Sequence, residues 1–307
     1  MTETNITILR TILKHRLLTV EQIQQQCLPC TDGKSLQGRL EYTRHLLRVL
    51  YEHKYVRRRT LIQSGLGRSP LVFACTWKGA QAVAAHDDCQ LQEVGWDPND
   101  RVITWSNENL HHLVAENEVY FTFQAACAQS DVTLQLWKSD RTLLKEHKGH
   151  KVNYVGPHGG MYQKVLIPDG YYIFARPMTI NGRTGKVLDR ITVEVDMGTQ
   201  TLKQRQQMIR HPQRTWEHKV NAYMAYFQSG GVYAQLYGST AGRVLTITTS
   251  EERLRNMVQV TESVGGNERF WFCTFDDFTP EQVLAAPIYA VAGQEEQRYH
   301  LFQHLRQ

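Results

Sequence analysis

Two neighbouring apolar segments that carry acidic residues are the feature of this sequence that most restricts its fold. Residues 165–196 read VLIPDGYYIFARPMTINGRTGKVLDRITVEVD. β-Branched and aromatic residues dominate both halves, which predicts one strand at about 165–175 and a second at about 187–196. The glycines at 182 and 185 are typical of a hairpin turn. Acidic residues on the two strands should therefore lie close together.

Four charged residues in and after these strands suggest a chemistry. Asp169 lies in a Pro-Asp-Gly step of the first strand, Glu194 and Asp196 end the second, and Lys219 follows on an expected helix. Acids at the ends of adjacent strands, with a Lys nearby, can hold a divalent metal against a phosphodiester. This arrangement predicts a site for Mg²⁺ or Mn²⁺.

The charge of the chain is unevenly distributed. Residues 1–70 have a balance of +7, whereas the rest has −2, in a chain of net charge +5. A basic module attached to a nearly neutral body indicates an anionic partner, most simply nucleic acid. The alternative is a basic face that only contacts solvent.

The basic part of the chain has the element order of a winged helix-turn-helix, which we predict over residues 1–94. A helical stripe starts at Ile6, Thr19 and Gln22 form a capping box for a second helix, and residues 34–53 form a third helix with Leu36 facing inward. The remaining elements are two strands near Tyr55 and Leu71 joined by a glycine turn, and a closing helix at Trp77.

Arginines of the third helix and of the hairpin are the predicted contacts to double-stranded DNA. A recognition helix enters the major groove, and a basic wing contacts the flanking phosphates. A winged helix used for protein contact is the alternative, and a homodimer is left open. The predicted DNA-binding residues are Arg39, Arg44, Arg48, Arg57, Arg58, Arg59 and Arg68.

A turn-rich stretch beginning at Gly95 predicts a linker over 95–106, followed by a second domain over 107–307. The predicted elements of that domain alternate between helices and apolar strands, which indicates an α/β sandwich. They are a helix at 107–129, a strand at 134–137, the two acid-bearing strands, the Lys219 helix, a strand from Arg243, a helix at 251–264, a strand from Phe270 and a short helix at 280–286.

This order, αβββαβ, resembles the PD-(D/E)XK nuclease core. The resemblance implies that Asp169 and Glu194 bind the metal, with the Val195 carbonyl as a third ligand. Nucleases of this kind normally carry Lys two residues after the Glu, where this chain has Asp196. Some place the Lys on the following helix, which implies a catalytic role for Lys219. Asp196 then either assists as a third carboxylate or pairs with Lys219 in an inert scaffold that binds the DNA backbone.

Short motifs along nearly the whole chain resemble the replication-relaxation family of plasmid and mobile-element proteins. Their order and spacing together carry the resemblance, which implies a role in plasmid replication and in relaxation of plasmid DNA. The pieces are the winged-helix start, His112, Asn117, Pro168-Asp169-Gly170, Glu194-Val-Asp196-Met-Gly198-Thr199, Lys219-Val-Asn-Ala-Tyr223, Arg243-Val-Leu-Thr-Ile-Thr, Arg253 and Phe270-Trp-Phe.

Two functions remain open from the sequence. The first is a metal-dependent DNA endonuclease or nickase in replication, relaxation or mobilisation of a plasmid, with Asp169, Glu194, Asp196 and Lys219 as its site. The second is a non-catalytic DNA-binding initiator or transcriptional regulator with a degenerate nuclease fold. Whether the protein is an enzyme is therefore undecided at this stage.

Other chemistries are disfavoured by spacing. The chain has no two histidines separated by one residue, so Tyr223 is expected to be a core residue rather than the nucleophile of a histidine-metal relaxase. Cys27 and Cys30 supply only two of the four ligands that a structural zinc needs, so zinc is not expected. Glu118 is expected on the surface; the alternative is that it acts as a supporting metal ligand.

The chain has no 18-residue apolar run, and its six cysteines are scattered. These features favour a reduced cytoplasmic protein without a membrane span.

Overall fold

The computed structural model describes residues 1–28, 35–62, 69–148, 151–180, 183–203, 214–294 and 297–302. The chain has a mixed α/β architecture and divides into two compact units, Met1–Glu118 and Val119–Gln307. The predicted linker at 95–106 lies within the first of these units. None of the helices in the described ranges has the length and apolar character needed to cross a membrane.

The N-terminal unit contains the three helices, the strand pair and the closing helix that the sequence predicts. Its three-stranded antiparallel sheet has the order β1-β3-β2. The two-residue strand β1 was not predicted, because it is too short to give a periodic pattern. The elements are α1 (Glu3–His15), β1 (Leu18–Thr19), α2 (Val20–Cys27), α3 (Leu36–Glu52), β2 (Val56–Thr60), β3 (Leu71–Cys75) and α4 (Trp77–His86).

Local sequence signals explain the helices of this unit. The predicted capping box of α2 is present, since the Thr19 hydroxyl accepts the Gln22 backbone N–H and the Gln22 side chain accepts the Thr19 N–H. The prediction for Leu36 is wrong, because this side chain is 59% exposed. It is the first residue of α3, and burial along this helix is complete only further on, at Leu47 and Leu50.

The C-terminal unit is built on a six-stranded mixed sheet of order β11-β10-β9-β8-β7-β4, with β5 and β6 as a separate hairpin. Helix α5 (Asn107–Ala128) contains the division between the units. The further elements are β4 (Thr133–Ser139), α6 (Asp140–His147), β5 (Val152–Val155), β6 (Met161–Lys164), β7 (Gly170–Ile180), β8 (Arg183–Asp196), α7 (Trp216–Tyr226), α8 (Val232–Tyr237), β9 (Arg243–Thr248), α9 (Glu251–Ser263), β10 (Phe270–Thr274) and β11 (Ala290–Val291).

Helices cover both faces of this sheet. On one face, Phe123 of α5 packs against the Tyr172 and Phe174 rings of β7, at centroid distances of 5.2 and 4.9 Å. On the other face, Tyr171 stacks on Tyr237 of α8 at 4.4 Å. Burying an aromatic side chain of this size stabilises the folded state by about 1.5–3 kcal/mol. Because successive β7 side chains point to opposite faces of the sheet, aromatic residues at neighbouring positions stabilise the helix layer on each face.

The strand order brings the acid-bearing strand into the middle of the sheet. Strand β8 pairs antiparallel with β7 and parallel with β9, and Asp196 at its end lies opposite Thr248. The predicted strands at Arg243 and Phe270 are present. The helix predicted at 280–286 is not, and the chain there forms a series of turns. Pro287 directly follows this segment and disfavours a helical conformation of the residue before it.

Candidate functional site

Asp169 and Glu194 are neighbours across the β7–β8 strand pair, as the sequence predicts. The Asp169 backbone N–H donates to the Val193 carbonyl at 3.1 Å, and the Asp169 Oδ2 accepts the Val195 N–H at 2.7 Å. Asp169 is therefore hydrogen-bonded to the residue before Glu194 through its main chain and to the residue after it through its side chain. These two bonds to β8 set the position of the Asp169 carboxylate.

The Glu194 carboxylate is held by two side chains of helix α7. Its Oε2 accepts from the Lys219 ammonium and its Oε1 from the Tyr223 hydroxyl. These two residues are four positions apart and share one face of the helix, as predicted. The Glu194 side chain is only 2% exposed, so both contacts are made away from bulk water.

Helix α7 is held in place by its own buried side chains. Its first residue, Trp216, donates its indole N–H to the Thr261 hydroxyl of α9 at 2.9 Å. Tyr223 packs against the Phe270 ring of β10. These contacts fix the helix over the sheet and so fix the direction in which Lys219 points.

Burial and charge shift the protonation of this cluster. The pKa of Glu194 is raised to about 7, because burial raises it more than Lys219 lowers it and the nearby Asp169 adds to the rise. Burial alone would lower the pKa of Lys219, but Glu194 and Asp169 outweigh it and raise that pKa. Burial raises the pKa of Tyr223 well above its ordinary value, so the hydroxyl remains a hydrogen-bond donor. This agrees with the expectation that Tyr223 is a core residue.

Asp196 is paired with Arg253 of α9, not with Lys219. Its carboxylate accepts the Arg253 Nε at 2.9 Å and the Nη2 at 3.0 Å, and the Thr248 hydroxyl donates to it at 2.7 Å. Arg253 also donates to the Gln200 carbonyl. The alternative in which Asp196 pairs with Lys219 is therefore wrong, because each acid of the Glu-Val-Asp triplet has a basic partner from a different helix.

The donor set fits a divalent metal at Asp169 and Glu194. Both supply hard oxygen ligands, Asp169 from the residue before β7 and Glu194 from β8, and they lie near enough for Asp169 to raise the pKa of Glu194. Within the described part of the chain, each Glu194 oxygen accepts one hydrogen bond, which leaves a second lone pair for a metal. Asp196 fits less well, because a guanidinium neutralises it and three donors occupy its two oxygens.

Helix α3 and strand β2 carry the predicted DNA contacts of the N-terminal unit. Arg44 and Arg48 are exposed on α3, whereas Arg39 is half-buried. Arg57 and Arg58 are exposed on β2, and the Arg58 guanidinium lies 4.2 Å from the centre of the Tyr51 ring at the end of α3. This contact places an arginine of β2 next to the third helix.

Two of the predicted arginines stand apart from this group. Arg59 is half-buried, and its Nη1 donates to the carbonyls of Ile103, at 3.3 Å, and Trp105. These hydrogen bonds stabilise the segment between α4 and α5. Arg68 lies outside the described residues, as does Cys30. Cys27 is a free thiol that contacts the Thr11 hydroxyl at 3.4 Å.

The remaining residues singled out in α5 have structural partners in the N-terminal unit. The Asn117 amide donates to the carbonyls of His15 and Leu17, at 3.2 and 2.9 Å. His112 lies 3.0 Å from the Glu116 carboxylate one turn later. Glu118 is exposed and accepts a hydrogen bond from Gln22. Asn117 thus ties α5 to the end of α1.

Comparison with known proteins identifies the family. The family model described as replication-relaxation matches residues 9–241. No curated protein and no solved structure matches the chain. Since the family match covers well over half of the sequence, including every residue of the Asp169–Glu194–Lys219 cluster, this chain belongs to the replication-relaxation family.

Proposed function

We propose that this protein binds double-stranded DNA through a winged helix in its N-terminal unit and nicks DNA at a metal site in its C-terminal unit. Membership of the replication-relaxation family suggests a role in the replication or relaxation of a plasmid or mobile element. Such a role has two steps, DNA binding and strand cleavage, and each is carried out by a different unit.

The element order of the N-terminal unit supports the winged helix. Three helices precede an antiparallel strand pair, and a further helix closes the unit. In this fold α3 is the recognition helix and the β2–β3 pair is the wing. Arg44, Arg48, Arg57 and Arg58 are then the DNA contacts, because they are exposed on those two elements.

The pairing of Glu194 with Lys219 beside Asp169 is the observation that carries the nuclease assignment. A PD-(D/E)XK-like site needs two acids on adjacent strands and a cation at the same point. Here the residue just before β7, the end of β8 and helix α7 supply these groups, with the Lys on the helix instead of two residues after the Glu. The buried location of Glu194 makes the interactions of the site stronger than they would be in water.

Asp169 and Glu194 would hold the metal, which polarises a phosphate and lowers the pKa of an attacking water when bound. Lys219 lies at the Glu194 carboxylate, from where its ammonium can balance charge that develops on the phosphate. Tyr223 keeps Glu194 in place through its hydrogen bond. Asp196 and Arg253 support the end of β8 and the following chain, because Arg253 binds both Asp196 and the Gln200 carbonyl.

Nicking of supercoiled plasmid tests the proposal. The wild-type protein with Mg²⁺ or Mn²⁺ should convert supercoiled plasmid to the open circular form, and EDTA should stop the reaction. Asp169→Asn, Glu194→Gln and Lys219→Ala should each reduce nicking by at least about 100-fold, the scale on which loss of one preorganised charge-stabilising group is felt. Asp131→Asn, a change at an exposed acid of the same unit, is the matched control.

The same variants should bind duplex DNA as tightly as the wild type, because the binding residues lie in the other unit. Equal nicking by the wild type and all three site variants would refute the catalytic assignment. A wild type that binds DNA tightly and leaves plasmid intact with either metal would point to a non-catalytic initiator or regulator.

A further inference from the structure

The β5–β6 hairpin has two unlike faces. Its register pairs Val152 with Lys164 and Tyr154 with Tyr162. These four residues therefore share one face of the hairpin, and Asn153, Val155, Met161 and Gln163 share the other. Burial follows the same alternation, since the second set is exposed and the first is buried or half-buried.

The inner face of this hairpin packs on helix α7, next to the proposed metal site. The Tyr154 hydroxyl lies 3.3 Å from the Nδ1 of His218, and the Tyr162 ring meets the His218 ring edge-on at 4.7 Å. His218 directly precedes Lys219. Lys164 lies two residues beyond Tyr162 on the same face, a distance of about 7 Å along the strand.

The turn of the hairpin is shaped so that Tyr162 can take this place. A Cβ atom at Gly156 would lie 2.5 Å from the Tyr162 ring and 2.8 Å from the His218 ring. Any side chain there would push the ring away from α7. The glycine therefore fixes the inner face of the hairpin, and Lys164 with it, against the helix that carries Lys219.

The charges around Lys164 agree with this placement. The pKa of Lys164 is lowered to about 8, mostly by burial and in part by the positive charge of Lys219, while Glu194 opposes the shift. Lys164 thus interacts electrostatically with both members of the Lys219–Glu194 pair. The charges of Lys164 and Lys219 repel each other, and an anion bound between the two ammonium groups would offset that repulsion.

We infer that Lys164 is a phosphate-binding residue of the site. Its ammonium contacts a non-bridging oxygen of the same DNA phosphate whose developing charge Lys219 balances. The inference rests on the proposed function, since it deepens the same site. With both carboxylates ionised and both lysines protonated, the cluster of Asp169, Glu194, Lys164 and Lys219 has zero net charge. A divalent metal makes the cluster positive, which suits the phosphodiester and, more strongly, the additional negative charge of the hydrolytic transition state.

Nicking kinetics of Lys164 variants are the first part of the test. Lys164→Ala should slow single-turnover nicking by about 100-fold with unchanged duplex affinity, and Lys164→Arg should recover much of the rate. Lys186→Ala is the matched control, because Lys186 is an exposed lysine near the opposite end of β8. Recovery by Arg separates a charge contact with phosphate from a packing role of the lysine stem. Wild-type nicking by Lys164→Ala would overturn the inference.

Lysine acetylation read out by mass spectrometry is the second part, and it does not depend on cleavage. In the full-length wild-type protein, duplex DNA should protect Lys164 from the reagent and leave Lys186 equally labelled. If DNA protects Lys164 in a protein that does not nick, the phosphate contact is supported and the nuclease assignment is refuted. Equal labelling of Lys164 with and without DNA would overturn the contact, even in a protein that nicks.

Discussion

Removal of Arg253 should destabilise the C-terminal unit strongly, because it leaves a buried carboxylate without its counter-ion. The Asp196 side chain is 2% exposed and the Arg253 side chain 18%. In Arg253→Ala, Asp196 loses two charge-assisted hydrogen bonds and retains the one from Thr248. Breaking a buried pair from one side costs about 3–5 kcal/mol.

Thermal unfolding gives a direct measure of this cost. A loss of this size in a unit of such length lowers Tm by on the order of 10 °C. Arg255→Ala is the control, because Arg255 is an exposed arginine two positions along the same helix. Its Tm should stay within about 2 °C of the wild type, as is usual for a surface substitution.

The partner substitution tests the coupling between the two residues. Asp196→Asn should also destabilise the unit, and the double variant should cost less than the sum of the two single changes, since each change removes the same interaction. An Arg253→Ala protein as stable as Arg255→Ala would refute the assignment of Asp196 to structure. It would return Asp196 to the list of possible metal ligands.

Two other predictions concern charge. Burial raises the pKa of Glu194 from 4.5 to about 7, so between these values the folded state binds more protons than the unfolded state, and wild-type stability should fall as pH rises. Urea unfolding across that range should show a flatter profile in Glu194→Gln, and an unchanged profile would contradict the burial of an ionisable group there. Arg44→Ala and Arg58→Ala should each weaken duplex binding and reduce the slope of log affinity against log salt by about 1, if each contacts one phosphate. Arg10→Ala, an exposed arginine already paired with Asp87 at 2.5 Å, should leave the slope unchanged, and an equal slope in all four proteins would contradict DNA contact by α3 and β2.

The arrangement of the two acids could be predicted because it depends on local sequence. Strands β7 and β8 are consecutive in the chain, so their pairing and the approach of Asp169 to Glu194 follow from the pattern of 165–196. Lys219 and Tyr223 share a face because helical spacing requires it. In each case the deciding contact lies within an element or between neighbours in sequence.

The partner of Asp196 depends instead on long-range packing. Arg253 follows it by 57 positions, and it reaches Asp196 only because β8 and β9 are parallel and α9 follows β9. No local pattern distinguishes Arg253 from Lys219 as the partner. The one sequence signal for Arg253 was its place among the family motifs.

Arg59 and Lys164 show the same limit. A run of three arginines on β2 looks uniformly basic, but Arg59 donates to backbone carbonyls that come more than 40 positions later. Lys164 belongs to a segment in which the sequence analysis predicts no strand, although it forms β6 of a hairpin. Its importance follows from the contact of the hairpin with α7, which the pattern of residues does not encode.

A crystal soaked with Mn²⁺ and measured for anomalous scattering tests the central claim most directly. A Mn²⁺ peak should lie about 2 Å from carboxylate oxygens of both Asp169 and Glu194, with Asp196 still bound to Arg253. The peak should be lost in Glu194→Gln. A peak coordinated by Asp196, or no peak at the two acids in the presence of excess Mn²⁺, would contradict the account.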